Sequence, residues 1–343
     1  MSYKLYFGVD VSKLWLDVAY YDGEDVDWQH GHIRVDNDEK GFKELGKWLA
    51  RLGVGKGTVV FCMEYTGLYC QEFRQWLEHQ GIVYGMVAPR KMHRFEPDLG
   101  AGERALDRVK TDEMDSFRIA IYCKEHAMKI RRKPSRLPSQ AYFKLKRLLA
   151  ERRQYVKQSM LYKQQLHDIG IYDTESSRSR KKSELDSLTE KARQTMAEMK
   201  AVINEDERIR RNYDLLLSIN GIGPVVAVDT IVLTENFTAI DCPRRYACYV
   251  GIAPARKESG VSIQKGDHVS RKGFTQAKAN LSMAALQGIQ HDSGMHAYWK
   301  RKKAEGKHSG IVLNAVKFKI VLRMFAVIKR QKPYVEIDAF GKK

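Results

Sequence analysis

The chain has 343 residues, enough for two domains and a sizeable core, and carries 60 Lys and Arg against 42 Asp and Glu, a net charge of +18. No stretch reaches the roughly 18 apolar residues of a membrane span. The five cysteines (Cys62, Cys70, Cys123, Cys242, Cys248) are odd in number and form no CxxC pair, which weighs against a zinc site or a disulfide framework. The expectation is a cytoplasmic protein with no apolar signal block behind Met1-Ser2-Tyr3-Lys4. Its charge favours nucleic acid through phosphate neutralisation.

In chain order, residues 4–10, 15–21 and 28–35 read as three strands, with Asp22-Gly23 as a turn signal. Asp38 to Leu52 is predicted helical, with Phe42, Leu45, Trp48, Leu49 and Leu52 on one face. A strand at 58–64, a helix from about 68 to 79, a strand at 82–88 and a helix from Asp112 to His126 follow. Three strands, helix, strand, helix, strand, helix is the order of an α/β RNase H-like fold. Long polar helices are expected from Gln140 to about Gly170 and from Lys182 to Ile203. The second carries Leu185, Leu188, Ala192, Met196, Met199 and Val202 near heptad spacing. The apolar-free stretch 173–183 reads as an exposed tip between them, so the pair is either a coiled coil or a plain helical hairpin. From about Tyr213 the pattern changes. Leu217 to Ala227, with Gly221 and Gly223, looks like a helix-hairpin-helix element whose backbone N–H groups approach phosphates, or else an unliganded Gly-rich turn. A Gly/Ser/Lys-rich loop is expected after Pro254, through Gly273, and helices at 275–291 and 309–329. The expected domains are 1–128, 129–212 and 213–343.

Three acidic stations stand out. Asp10 lies in the apolar strand Tyr6–Val11, and Glu64 ends the strand Val59-Val60-Phe61-Cys62-Met63. Asp112 and Asp115 stand three apart on a helix, hence on one face. Carboxylates rarely enter apolar strands unpaired, because desolvation is expensive. Gathered together they repel unless a cation is present. Hard divalent ions such as Mg²⁺ take such oxygens and act in phosphoryl transfer. Asp107 and Glu113 are nearby spares, Glu113 expected to point away from Asp112. The alternative is a set of solvated surface acids. Ser259, in Ala255-Arg256-Lys257-Glu258-Ser259-Gly260, reads by composition as a turn residue, with only His268 as a neighbouring base. Basic residues concentrate in 129–153, including Arg131, Arg132, Lys133, Lys144 and Arg147, and recur in Lys300-Arg301-Lys302-Lys303.

Several ordered motifs carry a resemblance over nearly the whole chain: Gly8-Val9-Asp10-Val11-Ser12-Lys13, Met63-Glu64-Tyr65-Thr66-Gly67, Lys110-Thr111-Asp112-Glu113-Met114-Asp115, Ile219-Asn220-Gly221-Ile222-Gly223, Gly251-Ile252-Ala253-Pro254 and Ser259-Gly260. The chain resembles the DEDD-type transposases of bacterial insertion sequences, recombinases associated with a structured bridge RNA. The resemblance implies a RuvC-like N-terminal domain, a coiled-coil middle and a C-terminal transposase domain. It implies Asp10, Glu64, Asp112 and Asp115 as Mg²⁺-binding catalytic acids and Ser259 as the nucleophile forming a phosphoserine link to DNA. Ser262, three residues on, makes that assignment rest on the Ser-Gly dipeptide. It further implies donor and target DNA and a guide RNA as partners, and a homo-tetramer in which the acids of one subunit face the serine of another. The basic segment, Lys265, Arg271 and Lys272 would then contact phosphates, the protein joining the nucleoid when bound to DNA. The competing readings are an RNase H-like nuclease or Holliday-junction resolvase using metal-activated water, a non-enzymatic nucleic-acid scaffold, and a sugar-kinase-like ATPase. The last needs a Gly-rich adenosine loop not found in the sequence.

Overall fold

The computed structural model describes residues 3–23, 31–67, 69–95, 111–168, 173–259, 263–269 and 273–336. They form two compact units, residues 1–137 and 138–343.

The first unit is an α/β domain. Strands β1 (Leu5–Val11), β2 (Trp15–Tyr21), β3 (His32–Asp36), β4 (Val59–Glu64) and β5 (Val83–Val87) make one sheet in the order β3-β2-β1-β4-β5. β1 pairs antiparallel with β2 and parallel with β4, and β5 continues the parallel side. Helices α1 (Glu39–Arg51) and α2 (Gln71–His79) contribute Phe42, Leu45, Phe73 and Leu77 to a core with Phe7, Val9, Phe61 and Met63. The short α3 (Pro89–Met92) follows β5. The other face is covered by α4 (Asp112–Arg132), whose Ile119, Cys123 and Ala127 pack on Val60 and Cys62. Close approach of α4 requires Gly8. A Cβ there would strike the Ser116 carbonyl and the Ala120 amide, and would lie 2.7 Å from the Ile119 carbonyl carbon. α4 runs six residues past the expected end, so Lys129, Arg131 and Arg132 occupy its last turn, where cations suit the helix dipole. The backbone beyond it stays on this unit: the Ser135 amide donates to the Tyr84 carbonyl at 2.9 Å, and buried Arg74 Nη2 donates to the Arg136 carbonyl at 2.7 Å. All five cysteines are free thiols, Cys62, Cys70 and Cys123 buried.

The second unit is mostly helical. α5 (Gln140–His167) and α6 (Glu175–Asn204) lie antiparallel, with Lys144 of one reaching Glu205 just past the other at 2.8 Å. Buried Leu188, Thr195 and Val202 and buried Met199, with Leu185 and Ala192 half-covered, mark a heptad seam on α6. The expected tip at 173–183 is corrected: Thr174 caps the Ser177 amide and α6 begins at Glu175, so most of that stretch is an exposed helix without apolar residues. α7 (Glu207–Leu217), α8 (Pro224–Thr234), α9 (Pro243–Val250), α10 (Thr275–His291), α11 (Ser293–Ala304) and α12 (Ser309–Arg330) surround a core of Leu216, Ala227, Ile231, Tyr246, Leu281 and Ile320. Gly221, at φ 93°, presses on the α10 backbone, where a Cβ would lie 2.8 Å from the Gly288 nitrogen. Gly223 is open to space. The loop expected after Pro254 is also corrected. It holds a two-stranded hairpin, β6 (Pro254–Ser259) and β7 (Ile263–Val269), in which Ser259 pairs with Ile263. Ser259 therefore ends a strand, and Lys265 and His268 lie in β7. Asp107, Ser262, Arg271 and Lys272 lie outside the described residues.

Candidate acidic site on the first unit

The sheet register brings charged residues into one row. Asp10 on β1 pairs with Asp17 on β2, and Asp17 with Arg34 on β3. On the other side Val9 pairs with Met63, so Asp10 and Glu64 stand side by side at the carboxyl ends of two parallel strands. Paired residues on neighbouring strands share a face. Gly8 and Cys62, one alternation earlier, lie under α4, and that face therefore carries Arg34, Asp17, Asp10 and Glu64. Above the row is the first turn of α4. Thr111 caps it by accepting from the Met114 amide, and Asp112, Glu113 and Asp115 occupy it.

The electrostatics follow from that placement. The Asp10 carboxyl is pushed up to about 6, first by burial, then by Asp112, Asp115, Asp17 and Glu64 around it. Asp10 with Glu64, Asp112 and Asp115 makes a set of four carboxylates of the kind a hard divalent cation takes, with Asp17, engaged by Arg34, beside it. The set is nevertheless not drawn together: among the described residues, no three His, Cys, Asp or Glu side chains approach closely enough to hold an ion. Two of these acids face side-chain cations. Arg34 Nη2 donates to Asp112 Oδ2 at 3.1 Å, and Arg118 Nη1 stands 3.9 Å from Asp115. In chemical type the residues fit Mg²⁺, because all four offer carboxylate oxygen and they crowd one another without a closed cage.

Sequence reasoning missed three participants. Buried Asp17 accepts from Arg34 Nε at 3.0 Å and from Arg34 Nη2 at 3.0 Å, and its other contact is His32 Nε2 at 2.9 Å. These partners hold its carboxyl below the usual range against the opposing effect of burial. A signal was present for Asp17, which interrupts an apolar strand as Asp10 does, whereas His32 and Arg34 merely alternate along β3 as a solvated face would. Glu113 does not turn away as expected. Its carboxylate lies 3.5 Å from His32 Nδ1, beside the Arg34 that takes Asp112. Of the expected phosphate contacts, Arg131, Arg132 and Lys133 end α4 exposed, Arg147 is exposed on α5, and Lys144 is engaged by Glu205.

Residues 7–169 match a transposase family of the IS110, DEDD type, and residues 213–300 match a second transposase family described as IS116/IS110/IS902. Between them they cover more than half the chain. The chain belongs to the IS110 transposases. It is accordingly an enzyme that acts on DNA. It is similar to the pilin gene-inverting proteins of Moraxella bovis and Moraxella lacunata, each 24% identical over 96% of this chain and 98% of the relative. A shorter likeness, 30% identical over 34% of this chain and 28% of the relative, links it to an uncharacterized 43.6 kDa protein of insertion element IS110 from Streptomyces coelicolor. No helix among the described residues of this IS110-type transposase is long and apolar enough to cross a membrane.

Proposed function

We propose that this transposase is a Mg²⁺-dependent, site-specific DNA recombinase with a serine nucleophile, guided by a structured bridge RNA and working as a homo-tetramer. The observation that carries the reading is that Asp10 and Glu64, side by side on β1 and β4, face the first turn of α4 with its Asp112 and Asp115, all within electrostatic reach of Asp10. The strand order β3-β2-β1-β4-β5 with acids on β1, β4 and the covering helix supports a RuvC-like, RNase H-type domain. The α5–α6 pair is the coiled-coil middle, and the helices from Tyr213 with the β6–β7 hairpin are the transposase domain. α7, the turn at Gly221 and α8 form its helix-hairpin-helix element.

Asp10, Glu64, Asp112 and Asp115 would hold the ion. When bound, it polarises the phosphate and neutralises charge on the transferring group. Ser259 Oγ attacks phosphorus, forming one O–P bond as one P–O ester bond of the DNA breaks, and the departing strand oxygen takes the proton. The phosphodiester energy is kept in the phosphoserine link, so a second strand's hydroxyl reverses the step without ATP. Arg131, Arg132, Lys133 and Arg147, with Lys265, Arg271, Lys272 and the open backbone at Gly223, contribute phosphate contacts to DNA or RNA. The guide RNA and the sharing of acids and serine between subunits rest on the family resemblance and on the charge of the chain.

The test is a stalled reaction on nicked DNA with Mg²⁺ and the co-purifying RNA, denatured and resolved for protein–DNA adducts. Wild-type protein is expected to give an adduct, and Ser259→Ala to give none while still binding DNA. An adduct formed by Ser259→Ala protein refutes the nucleophile. Cleavage by wild-type protein without any adduct establishes metal-activated water, the nuclease or resolvase chemistry, instead.

A further inference from the structure

Arg34 is tied unequally at its two ends. On one side its guanidinium grips Asp17 through Nε at 3.0 and 3.2 Å and Nη2 at 3.0 Å. Asp17 is 1% exposed, and His32 supports it from the neighbouring position on β3. The guanidinium also lies 5.3 Å over the Trp15 ring. On the other side a single contact at 3.1 Å reaches Asp112, whose side chain is 52% exposed. A forked, charge-assisted grip on a buried carboxylate is durable, whereas one exposed ion pair is weak and screened. The arrangement thus has a fixed anchor and a releasable contact.

We propose that Arg34 is a resident counter-ion of the acidic site: anchored on Asp17, it holds Asp112 while no metal is present and gives it up when a divalent cation binds. The inference rests on the metal reading given above. It bears on one fact, that among the described residues no three of these side chains close on a common point although Asp10, Glu64, Asp112 and Asp115 lie toward one face. Arg34 is a positioning residue. It touches neither DNA nor metal in this role, but sets the cost of recruiting Asp112. The guanidinium remains on Asp17 afterwards, because that pair is built into the β2–β3 register.

The experiment measures Mn²⁺ binding to the full-length protein without nucleic acid, by paramagnetic resonance and by the rise in melting temperature over an EDTA control. Arg34→Gln should bind Mn²⁺ about threefold to fivefold more tightly than wild type, the range expected for removing one exposed competing ion pair. Arg34→Lys, which restores the charge, should bring affinity back toward wild type. In an Asp112→Asn background the gain from Arg34→Gln should vanish, since no carboxylate is left to release. If Arg34→Gln is less stable, the Mn²⁺-induced increment still decides. A purely structural role lowers the melting temperature equally with and without metal, and that result overturns the inference. A gain that persists in the Asp112→Asn background also overturns it, by showing a general field effect. Wild-type protein with no Mn²⁺ response removes the metal reading and this inference together. A wild-type response that Arg34→Gln does not exceed removes the inference alone.

Discussion

Asp292 of the second unit and Asp10 of the first are both acids taken out of water, and their surroundings treat them in opposite ways. Asp292 accepts from Arg323 at 2.7 Å, from the Met295 amide at 2.8 Å and from the Tyr334 hydroxyl at 3.0 Å. Those partners hold its carboxyl below the usual range although burial pushes the other way. Asp229, also buried, is met by Arg153 at 2.7 Å and by the Asn280 amide. Each of these two buried acids has an answering cation, Arg323 for Asp292 and Arg153 for Asp229. Asp10 faces carboxylates and its proton is held more tightly, to about 6. A fold retains such a costly arrangement where something absent from the apo chain completes it. The paired acids of the second unit are satisfied within the fold, whereas Asp10 meets like charge, the feature on which the proposed metal-binding role rests.

The contrast is open to breakage at several points. The largest stability effect is expected from Asp292→Ala, which leaves Arg323 without its partner and removes the cap of α11. We expect a loss of about 3 kcal/mol, read from denaturant unfolding. A loss below about 1 kcal/mol would show that the buried pairs of the second unit are not what holds it. Gly8→Ala comes next, because the new methyl meets α4 backbone rather than a movable side chain. About 2–3 kcal/mol should be lost, and the lifted helix should weaken Mn²⁺ binding in the same protein. Retention of Mn²⁺ affinity in a destabilised Gly8→Ala protein would separate the helix seating from the site.

The smallest effect has the most distinctive sign. Asp10 has a folded value of about 6 against an ordinary 3.8, so its charge penalises the metal-free fold at neutral pH. The penalty is absent below pH 3.8, grows as pH rises between the two values, and is complete above about 6. Asp10→Asn should thus stabilise metal-free protein at pH 7 by about 1 kcal/mol, allowing for solvent screening at a half-buried group. The advantage should disappear as the pH is lowered toward 4. Destabilisation by Asp10→Asn at pH 7 would mean that the carboxylate is stabilised by its surroundings, contrary to the row of acids beside it.

Much of the first unit was legible because its elements announce themselves physically. β1 and β4 are apolar runs broken by one acid each, and α4 carries an acid pair in its first turn behind a Thr cap. Asp10 and Glu64 stood out because a charge in an apolar strand needs an explanation, and Asp112 and Asp115 because they stand three apart at the start of a helix. Arg34 could not, because an arginine alternating with apolar residues on a strand reads as a solvated face until the register sets it opposite Asp17. In the second unit the start of α6 was hidden because 175–184 offers no apolar residue to reveal helical periodicity. The β6–β7 hairpin was hidden similarly. Ile263-Gln-Lys-Gly-Asp-His-Val269 has apolar residues only at its ends, so alternation gives no signal and its glycine and polar residues read as loop.

The cross-strand row also makes the site unevenly tolerant of changes in chain length. Adding one residue inside β2, between Leu16 and Asp17, would rotate every later side chain of that strand to the opposite face. It would thrust Asp17 into the layer of Phe7, Leu45 and Phe61 and strip Arg34 of its anchor. The same addition in the connection between β2 and β3 would leave the row's register unchanged. Natural variants of this transposase are therefore expected to gain and lose residues in that connection, while the seven residues of β2 keep their number.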